Sequence, residues 1–297
     1  MKDAKDLKIG VVGIEGGWSS TRLTDAVSRK AGKGELVQMN RVCFNLEAGK
    51  VLHEGHDLMD FDALIVKKIG SRYSPHLMDR MEILRFLKNR GLRIFSKPAS
   101  IARAIDRLSC TSLLMQGDIP IPPTVITENI SEAVRAVERF GQAVLKPMYT
   151  SKARGMMLLE SGNGVYNKVE SFQNDGNPVI YVQKKMTLPG RDLGLVFLGG
   201  RYLGTYARVS NGESWNTSTR SGGRYEPYEP AKEIIKLAEK AQALFDLDFT
   251  SVDIAETPEG PVIFEVSAFG GFRGLLEANK IDAAELYTDY VLKELTK

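Results

Sequence analysis

The segment from Ser251 to Ser267 constrains the fold more than any other part of the chain. Two strand-like runs rich in apolar residues flank Pro258-Glu259-Gly260, and a proline at the first position with a glycine at the last is typical of a three-residue hairpin loop. Counting back along both strands from that loop places Asp253 directly opposite Glu265. The segment therefore predicts an antiparallel hairpin that carries two opposed carboxylates.

In this register Thr257 faces Pro261, and the two faces of the hairpin differ sharply. The face predicted to lie in the core is apolar and carries Val252, Ile254, Val262, Phe264 and Val266. The other face carries Ser251, Asp253, Ala255, Ile263, Glu265 and Ser267. The alternation thus predicts that the carboxylates point away from the core.

Directly opposed residues in a sheet have Cβ atoms within about 5.5 Å, where like charges are destabilising. A divalent cation between Asp253 and Glu265 would reverse the sign of that interaction. Magnesium prefers one or two carboxylates together with waters and substrate phosphates. The hairpin predicts a magnesium–phosphate platform, and the alternative is an exposed hairpin whose carboxylates are solvated or paired with lysine.

A basic strand end lies earlier in the chain. Lys146 ends the apolar strand that begins at Gln142, Pro147 stops the strand, and a polar basic loop follows from Tyr149 to Gly155. Backbone N–H groups and basic side chains in such a loop can surround phosphoryl oxygens. We expect a phosphate grip here, and the alternative is an ordinary hairpin with a solvated basic tip.

Short apolar strands alternate with helices over roughly residues 1–100. Strands are predicted at Lys8–Ile14, Ala63–Val66 and Leu92–Phe95, with helices between them. Alternation of this kind favours a small parallel α/β lobe.

The remainder of the chain predicts antiparallel sheets and helices. A proline cluster at Ile119–Pro123 cannot be helix or central strand and is a connector. Ser131 is the predicted N-cap of a helix that ends at Phe140. Strands are predicted at Ala143–Lys146, Met156–Leu159 and Val179–Gln183, a hairpin at Leu193–Leu198 and Tyr202–Val209, and a helix at Pro230–Phe245.

Composition excludes several classes of protein. A net charge of +3 from 40 basic and 37 acidic residues is too even to indicate nucleic acid as a partner. No apolar run approaches the ~18 residues of a membrane span, and the charged N-terminus does not resemble a signal peptide. Cys43 and Cys110 lie far apart, which favours a reduced cytoplasmic location.

Two further motifs are weak. Gly10–Gly17 follows a strand and leaves open a dinucleotide-binding oxidoreductase, but its glycines do not fit the G-x-G-x-x-G spacing. His53-Glu-Gly-His56 has two histidines, yet the glycine disfavours a helical metal face and favours a turn.

Taken in order from about Phe61 to Leu275, these elements resemble the RimK-type ATP-grasp ligases. The matching segments are Ile101–Arg107, Asp118–Thr124, Lys146-Pro147, Ser151–Gly155, Val182–Met186, Gly190-Arg-Asp192, Arg208, Val252-Asp253, Phe264-Glu265-Val266 and Gly271–Leu275. Residues 1–60 match only as another small α/β lobe.

The resemblance implies an α/β (α+β) ATP-grasp fold in three parts. An N-terminal lobe would span residues 1–100, a central subdomain with the phosphate loop 101–186, and a C-terminal subdomain with the metal site 187–297. The implied activity is ATP-dependent ligation, in which a carboxylate is phosphorylated to an acyl phosphate and an amine then displaces phosphate to form an amide. The loop at Ser151–Gly155 would exclude water from that intermediate.

The resemblance also implies a role for individual residues. Arg208 and Lys146 would be catalytic, and Asp253, Glu265 and Ser267 would bind Mg²⁺ or Mn²⁺. ATP would be bound by Arg107, Lys146, Ser151, Arg154, Gly155, Gln183, Lys184, Met186 and Asp192. The substrate would contact Asn216, Arg273 and Gly274. Unknown acid and amine substrates are implied, among them glutamate and a small molecule or peptide tail, and homo-oligomers are common in the family.

The chain departs from the family pattern at four positions. Arg107 stands for a lysine, Lys184 for an acidic residue, Gly194 for an arginine and Ser267 for an asparagine. These departures concern substrate identity more than nucleotide binding. They leave two alternatives open, a small-molecule kinase on the same fold and a catalytically attenuated nucleotide-binding protein.

Overall fold

A computed structural model of the chain describes residues 3–71, 76–150, 153–212, 214–217 and 222–297. No helix within these ranges is both long enough and apolar enough to cross a membrane.

The N-terminal region is built on a parallel sheet. Its strands are β1 (Lys8–Gly13), β2 (Lys33–Gln38), β3 (Val42–Asn45), β4 (Lys50–His53), β5 (His56–Asp57), β6 (Ala63–Val66) and β7 (Arg93–Phe95), and its helices are α1 (Trp18–Lys30) and α2 (His76–Asn89). The parallel sheet has the order β2-β1-β6-β7. All of β6 is buried, as expected for a parallel strand covered on both faces.

Strands β3, β4 and β5 form a separate antiparallel sheet that the sequence did not predict. Its last turn is Glu54-Gly55, where both residues have positive φ, of 50° and 87°. His53 is buried beside this turn and accepts a hydrogen bond from the backbone N–H of Gln38 at 3.2 Å. His53 therefore joins β4 to the end of β2.

The central region combines one antiparallel sheet with several helices. Its elements are α3 (Pro98–Ile105), α4 (Arg107–Gln116), β8 (Thr124–Thr127), α5 (Ile130–Phe140), β9 (Gln142–Lys146), β10 (Met157–Glu160), α6 (Val165–Asn174) and β11 (Ile180–Lys184). The sheet order is β10-β9-β11-β8, and α5 and α6 cover it through a shared apolar cluster. The predicted N-cap Ser131 is wrong, because Asn129 caps α5 by accepting from the N–H of Glu132.

The C-terminal region holds the largest sheet. Its elements are β12 (Arg191–Leu198), β13 (Arg201–Val209), β14 (Arg224–Pro227), α7 (Lys232–Ala243), β15 (Phe249–Thr257), β16 (Gly260–Ser267), α8 (Phe272–Asn279) and α9 (Ala283–Leu295). The sheet is antiparallel, with the order β14-β13-β12-β15-β16. Helix α7 packs against β15 and β16, and α8 packs against β13 and β14.

The hairpin β15–β16 has a different turn from the predicted one. Thr257 pairs with Gly260 and not with Pro261, and the register then shifts between Asp253 and Ile254. This β-bulge compensates for the changed turn, so that Asp253 still lies opposite Glu265.

The bulge also exchanges side chains between the two faces of the hairpin. Ile263, which was expected on the carboxylate face, is fully buried in the core opposite Ile254. Phe264, expected in the core, lines a large cavity instead, and Val262 is only half-buried.

The C-terminal helix returns to the N-terminal region. Helix α9 packs against α1, and Lys30 of α1 lies 2.6 Å from Asp289 of α9. Arg22 of α1 pairs with Asp282, the N-cap of α9, at 2.7 Å. These contacts join the two ends of the chain. The domain boundaries at residues 100 and 186 stay a prediction.

Candidate active site

A cavity of about 730 Å³ lies where the three regions meet. Most of the residues that the sequence singled out line it, namely Arg107, Lys146, Gln183, Lys184, Met186, Asp192, Arg208, Asn216, Asp253, Glu265, Ser267, Arg273 and Gly274. Arg154 and Gly155 are not among the lining residues, although their neighbours Ala153 and Met156 are. Ser151 lies outside the described residues.

Two carboxylates occupy the floor of the cavity. Asp253 on β15 pairs in register with Glu265 on β16, and the Asp253 side chain is 18% exposed while that of Glu265 is 43% exposed. Burial, opposed by Arg208 and reinforced by Glu265 and Asp192, raises the pKa of Asp253 to about 7. Asp253 is therefore buried among other carboxylates, where a bound cation would favour its charged form.

Arg208 lies between the carboxylates of Asp192 and Asp253. It pairs with the buried Asp192 on the neighbouring strand, and its Nη2 atom lies 3.0 Å from Oδ2 of Asp253. Asp192 also accepts a hydrogen bond from the hydroxyl of Thr217. A guanidinium held in this way is fixed beside the carboxylate pair and can face a negatively charged ligand.

Lys146 ends β9 and is 9% exposed. Its Nζ atom donates to Oε1 of Gln183 at 2.5 Å, and Gln183 in turn donates to the Thr124 hydroxyl at 3.0 Å. Burial and the nearby charge of Arg107 lower the pKa of Lys146 to about 7. An anion brought next to Lys146 would favour its charged form.

Arg107 connects the loop that follows β9 to the hairpin of β15 and β16. Its Nε and Nη2 atoms donate to the backbone carbonyls of Pro147 and Thr150, at 3.3 and 3.1 Å. Its Nη1 atom lies 3.7 Å from Oε2 of Glu265. Arg107 thus fixes the start of the loop after β9 relative to β16.

Part of the cavity lining is apolar, and the sequence did not identify most of these apolar residues. Lys184 and Met186 line it together with residues from three separate segments, Ile105, Val144, Met148 and Leu188. Apolar walls next to strand β11 suit a flat heterocycle. In the sequence, an apolar residue that lines this cavity cannot be distinguished from one that packs in the core.

The N-terminal region also contributes to the cavity lining. Trp18 and Lys68 line the cavity there, and the Arg273 guanidinium lies 5.0 Å from the centre of the Trp18 ring. Gly274 and Asn216 lie at the same cavity. In the sequence, only Gly16-Gly17 indicated that this wall could bind a ligand. No local sequence pattern indicates that this wall contacts Arg273.

Gly194, one of the four departures from the family pattern, has a steric explanation. A Cβ atom at Gly194 would lie 2.3 Å from Cζ of Tyr206. The Tyr206 ring therefore occupies the space that a side chain at residue 194 would need.

The oxygen donors at the cavity floor suit a magnesium ion that also binds nucleotide phosphates. Within the residues that the structure describes, no three histidine, cysteine, aspartate or glutamate side chains converge on a metal position. A site of two opposed carboxylates, Asp253 and Glu265, is nevertheless what magnesium requires when nucleotide phosphates supply further oxygens. The residues fit a nucleotide-bound magnesium ion.

Comparison with known proteins defines the class. The model of the RimK-like ATP-grasp domain matches residues 104–291, well over half of the 297 residues, and the chain belongs to this family. It is an ATP-dependent carboxylate–amine ligase, which confirms the predicted fold class and enzyme class.

Individual relatives are distant. The tetrahydromethanopterin:alpha-L-glutamate ligase of Methanosarcina acetivorans is 27% identical over 272 residues, which cover 82% of each chain. The ATP-grasp ligase PsnB in complex with minimal precursor superposes with a TM-score of 0.75 at 18% identity, over 98% of this chain and 99% of PsnB. Another structure of PsnB contains a phosphomimetic precursor variant, Mg and ADP.

The D-alanyl-alanine synthetase A of Vibrio cholerae gives a TM-score of 0.73 at 14% identity, with 99% of each chain covered. At these identities the solved structures show that the fold is shared.

Proposed function

We propose that the enzyme uses MgATP to activate the carboxylate of an acid substrate and joins it to the amino group of glutamate or another amino acid. The observation that carries this proposal is the cavity floor, where Asp253 and Glu265 face each other beside Arg208. The alpha-L-glutamate ligase relative supports glutamate as the amine.

The nucleotide is assigned to the end of the cavity between the central and C-terminal sheets. Lys184, Met186 and the apolar walls around them would hold the adenine ring. Lys146, fixed by Gln183, would contact the phosphates, and the loop that includes Ser151, Arg154 and Gly155 would cover them. Arg107 supports this arrangement through its bonds to the loop backbone.

Asp253 and Glu265 would hold magnesium, with Ser267 as a further oxygen donor. When bound, the ion would neutralise the ATP phosphates and the carboxylate pair. Phosphoryl transfer depends mainly on positioning and electrostatic stabilisation. Arg208, already oriented by Asp192, would face the transferring phosphoryl group as its charge develops.

The acid and amine are assigned to the other end of the cavity. The acid would attack the γ-phosphate of ATP to give an acyl phosphate and ADP, and the amine would then displace phosphate to give the amide. Asn216, Arg273 and Gly274 would contact these substrates, and Trp18 and Lys68 join them as candidates from the N-terminal region. A cytoplasmic, homo-oligomeric enzyme acting on a small molecule or peptide tail remains our expectation.

The experiment supplies MgATP, L-glutamate and a panel of carboxylic acids, and measures ADP together with the mass of any amide product. An acid labelled with ¹⁸O at its carboxylate should transfer one labelled oxygen to inorganic phosphate, because that oxygen bridges the acyl phosphate. A phosphorylated product formed without any need for an amine would contradict the ligase and select a kinase.

The hairpin offers a matched pair of variants for this assay. Glu265→Gln should reduce ADP formation by at least about a hundredfold, the scale of losing one preorganised charge-stabilising group. Glu259→Gln, an exposed carboxylate at the turn of the same hairpin, should retain wild-type activity. Equal activity of the two variants would contradict the assignment of the metal site.

A further inference from the structure

We propose that the hydroxyl of Tyr206 binds an oxyanion in the cavity, either the acid substrate's carboxylate or the phosphoryl group transferred to it. The inference rests on the proposed ligase function and adds a substrate contact at the same site. Neither the motifs of the sequence nor the family pattern points to Tyr206.

The ring of Tyr206 is held rigidly. A Cβ atom at Gly194 would lie 2.3 Å from its Cζ atom, and one at Gly274 would lie 2.5 Å from its Cδ1 atom. On a further side the Tyr225 ring meets it edge-on, with centroids 5.2 Å apart at 89°. Tyr206 is 3% exposed, so two glycines and an aromatic edge fix the direction of its hydroxyl.

Tyr206 lines the cavity, and the hydrogen bond of its hydroxyl to Ser251 is long. Its oxygen lies 3.4 Å from Oγ of Ser251, well beyond the usual ~2.8 Å for O–H···O bonds. Ser251 is itself 1% exposed and pairs in register with Ser267. A buried hydroxyl with so long a bond gains free energy when a ligand supplies a better acceptor.

A cluster of hydroxyls therefore lies next to the carboxylate pair. A Cβ atom at Gly270 would lie 3.4 Å from Oγ of both Ser251 and Ser267, which shows how closely the turn after β16 covers them. These serines add hydroxyl oxygens beside Tyr206 without adding charge.

The sheet places Tyr206 in line with the predicted metal ligands. Tyr206 pairs with Gly194, Gly194 pairs with Asp253, and Asp253 pairs with Glu265, so the four residues form one row across four strands. Because Gly194 has no side chain, nothing in this row separates the tyrosine from the carboxylates. An acid or phosphoryl group above the row lies within reach of the Tyr206 hydroxyl.

Tyr206 is suited to donate a hydrogen bond at this position. Burial raises the pKa of its phenol above the ordinary value, so the hydroxyl stays protonated. A neutral donor stabilises an oxyanion without attracting the nearby carboxylates as a cation would. Preorganised donors of this kind need no reorientation when charge develops on the ligand.

Tyr206→Phe tests the proposal, because it removes the oxygen and keeps the ring that Gly194 and Gly274 enclose. Calorimetry on the enzyme saturated with MgADP would measure the binding of inorganic phosphate and, separately, of glutarate. We expect the Kd of one probe to rise about tenfold or more, the scale of a hydrogen bond to a charged group. Loss in the phosphate arm assigns the phosphoryl group, and loss in the glutarate arm assigns the acid.

Two further variants complete the design. Ser251→Ala should weaken the same probe to a smaller degree, since its hydroxyl belongs to the same cluster. Tyr202→Phe makes the same chemical change on the same strand, where the hydroxyl contacts Thr205 at 2.6 Å outside the cavity lining. This control should leave the affinity for both probes unchanged.

Equal affinity of Tyr206→Phe and wild type for both probes would overturn the proposal. Wild-type enzyme that binds MgADP but neither probe would overturn it as well. Failure of wild type to bind MgADP would instead contradict the ligase function on which the proposal rests.

Discussion

Charged side chains at the cavity floor depend on one another for their ionisation. Arg208 lies within hydrogen-bonding distance of both Asp192 and Asp253, and Arg107 lies 3.7 Å from Glu265. Lys146 is close enough to Arg107 for that charge to help lower its pKa to about 7. Binding of a polyanion with its metal should therefore change proton occupancy as well as contacts.

The change in proton occupancy on nucleotide binding can be measured at Lys146. With a pKa of about 7 the lysine is mostly neutral at pH 8 in the free enzyme, and nucleotide phosphates should raise its pKa. MgADP binding at pH 8 should therefore take up a substantial fraction of a proton, and affinity should fall as the pH rises above 7. Calorimetry in two buffers with different ionisation enthalpies measures the uptake.

Lys146→Met should abolish most of this uptake. Lys168→Met, at an exposed position of α6, should leave it unchanged. Proton uptake that is the same in all three proteins would show that Lys146 does not contact the phosphates.

At the residue scale, local patterns predicted only part of the cavity. Asp253 and Glu265 could be found because alternation places them on one face of a hairpin. Tyr206, Trp18 and Lys68 could not, because their positions depend on contacts between distant segments. The sequence also does not reveal why residue 194 is glycine, because the reason is that the Tyr206 ring occupies the space that a side chain at residue 194 would need.

At the scale of elements, the prediction for the β15–β16 hairpin was right about the pairing of Asp253 with Glu265 and wrong about the turn and the register next to it. The predicted three-residue loop is a two-residue loop, and the bulge near Asp253 restores the pairing with Glu265. A bulge has no clear sequence signal here, because Val262, Ile263 and Phe264 are three consecutive apolar residues. The strands β3–β5 were missed for a related reason, since they are short and only partly buried.

The observed register makes a prediction that the simple hairpin does not. Ile263→Ala removes a fully buried side chain and should reduce the free energy of unfolding by about 2–5 kcal/mol. Val262→Ala, at the half-buried neighbouring position, should cost less than about 1 kcal/mol. Urea denaturation of both variants measures the difference, and the opposite order would support the register without a bulge.

At the scale of the whole molecule, residues of the N-terminal region form part of the cavity wall and contact the C-terminal region. Lys67, at the end of β6, is 1% exposed, and its Nζ atom donates to the carbonyl of Phe269 at 2.9 Å, in the turn that follows β16. The same Nζ atom lies 3.7 Å from the centre of the Phe272 ring. Helix α9 binds α1 on the outside of this junction.

Sequence patterns did not show how the N-terminal and C-terminal regions meet. Helix periodicity says which face of α9 is apolar, and it does not say that Asp282 and Asp289 pair with Arg22 and Lys30 of α1. The fold class could be predicted from the order of the motifs that the chain shares with the family. This order reflects a three-dimensional arrangement that no single motif specifies.

The central claim is that the opposed carboxylates and the cations around them form a magnesium–nucleotide site. Calorimetric binding of MgADP and of a non-hydrolysable MgATP analogue, to wild type and to Asp253→Asn/Glu265→Gln, tests it most directly. We predict magnesium-dependent binding to wild type that is lost in the double variant while the thermal unfolding midpoint shows that the variant is folded. Absence of nucleotide binding by folded wild type, or undiminished binding by the double variant, would contradict the claim.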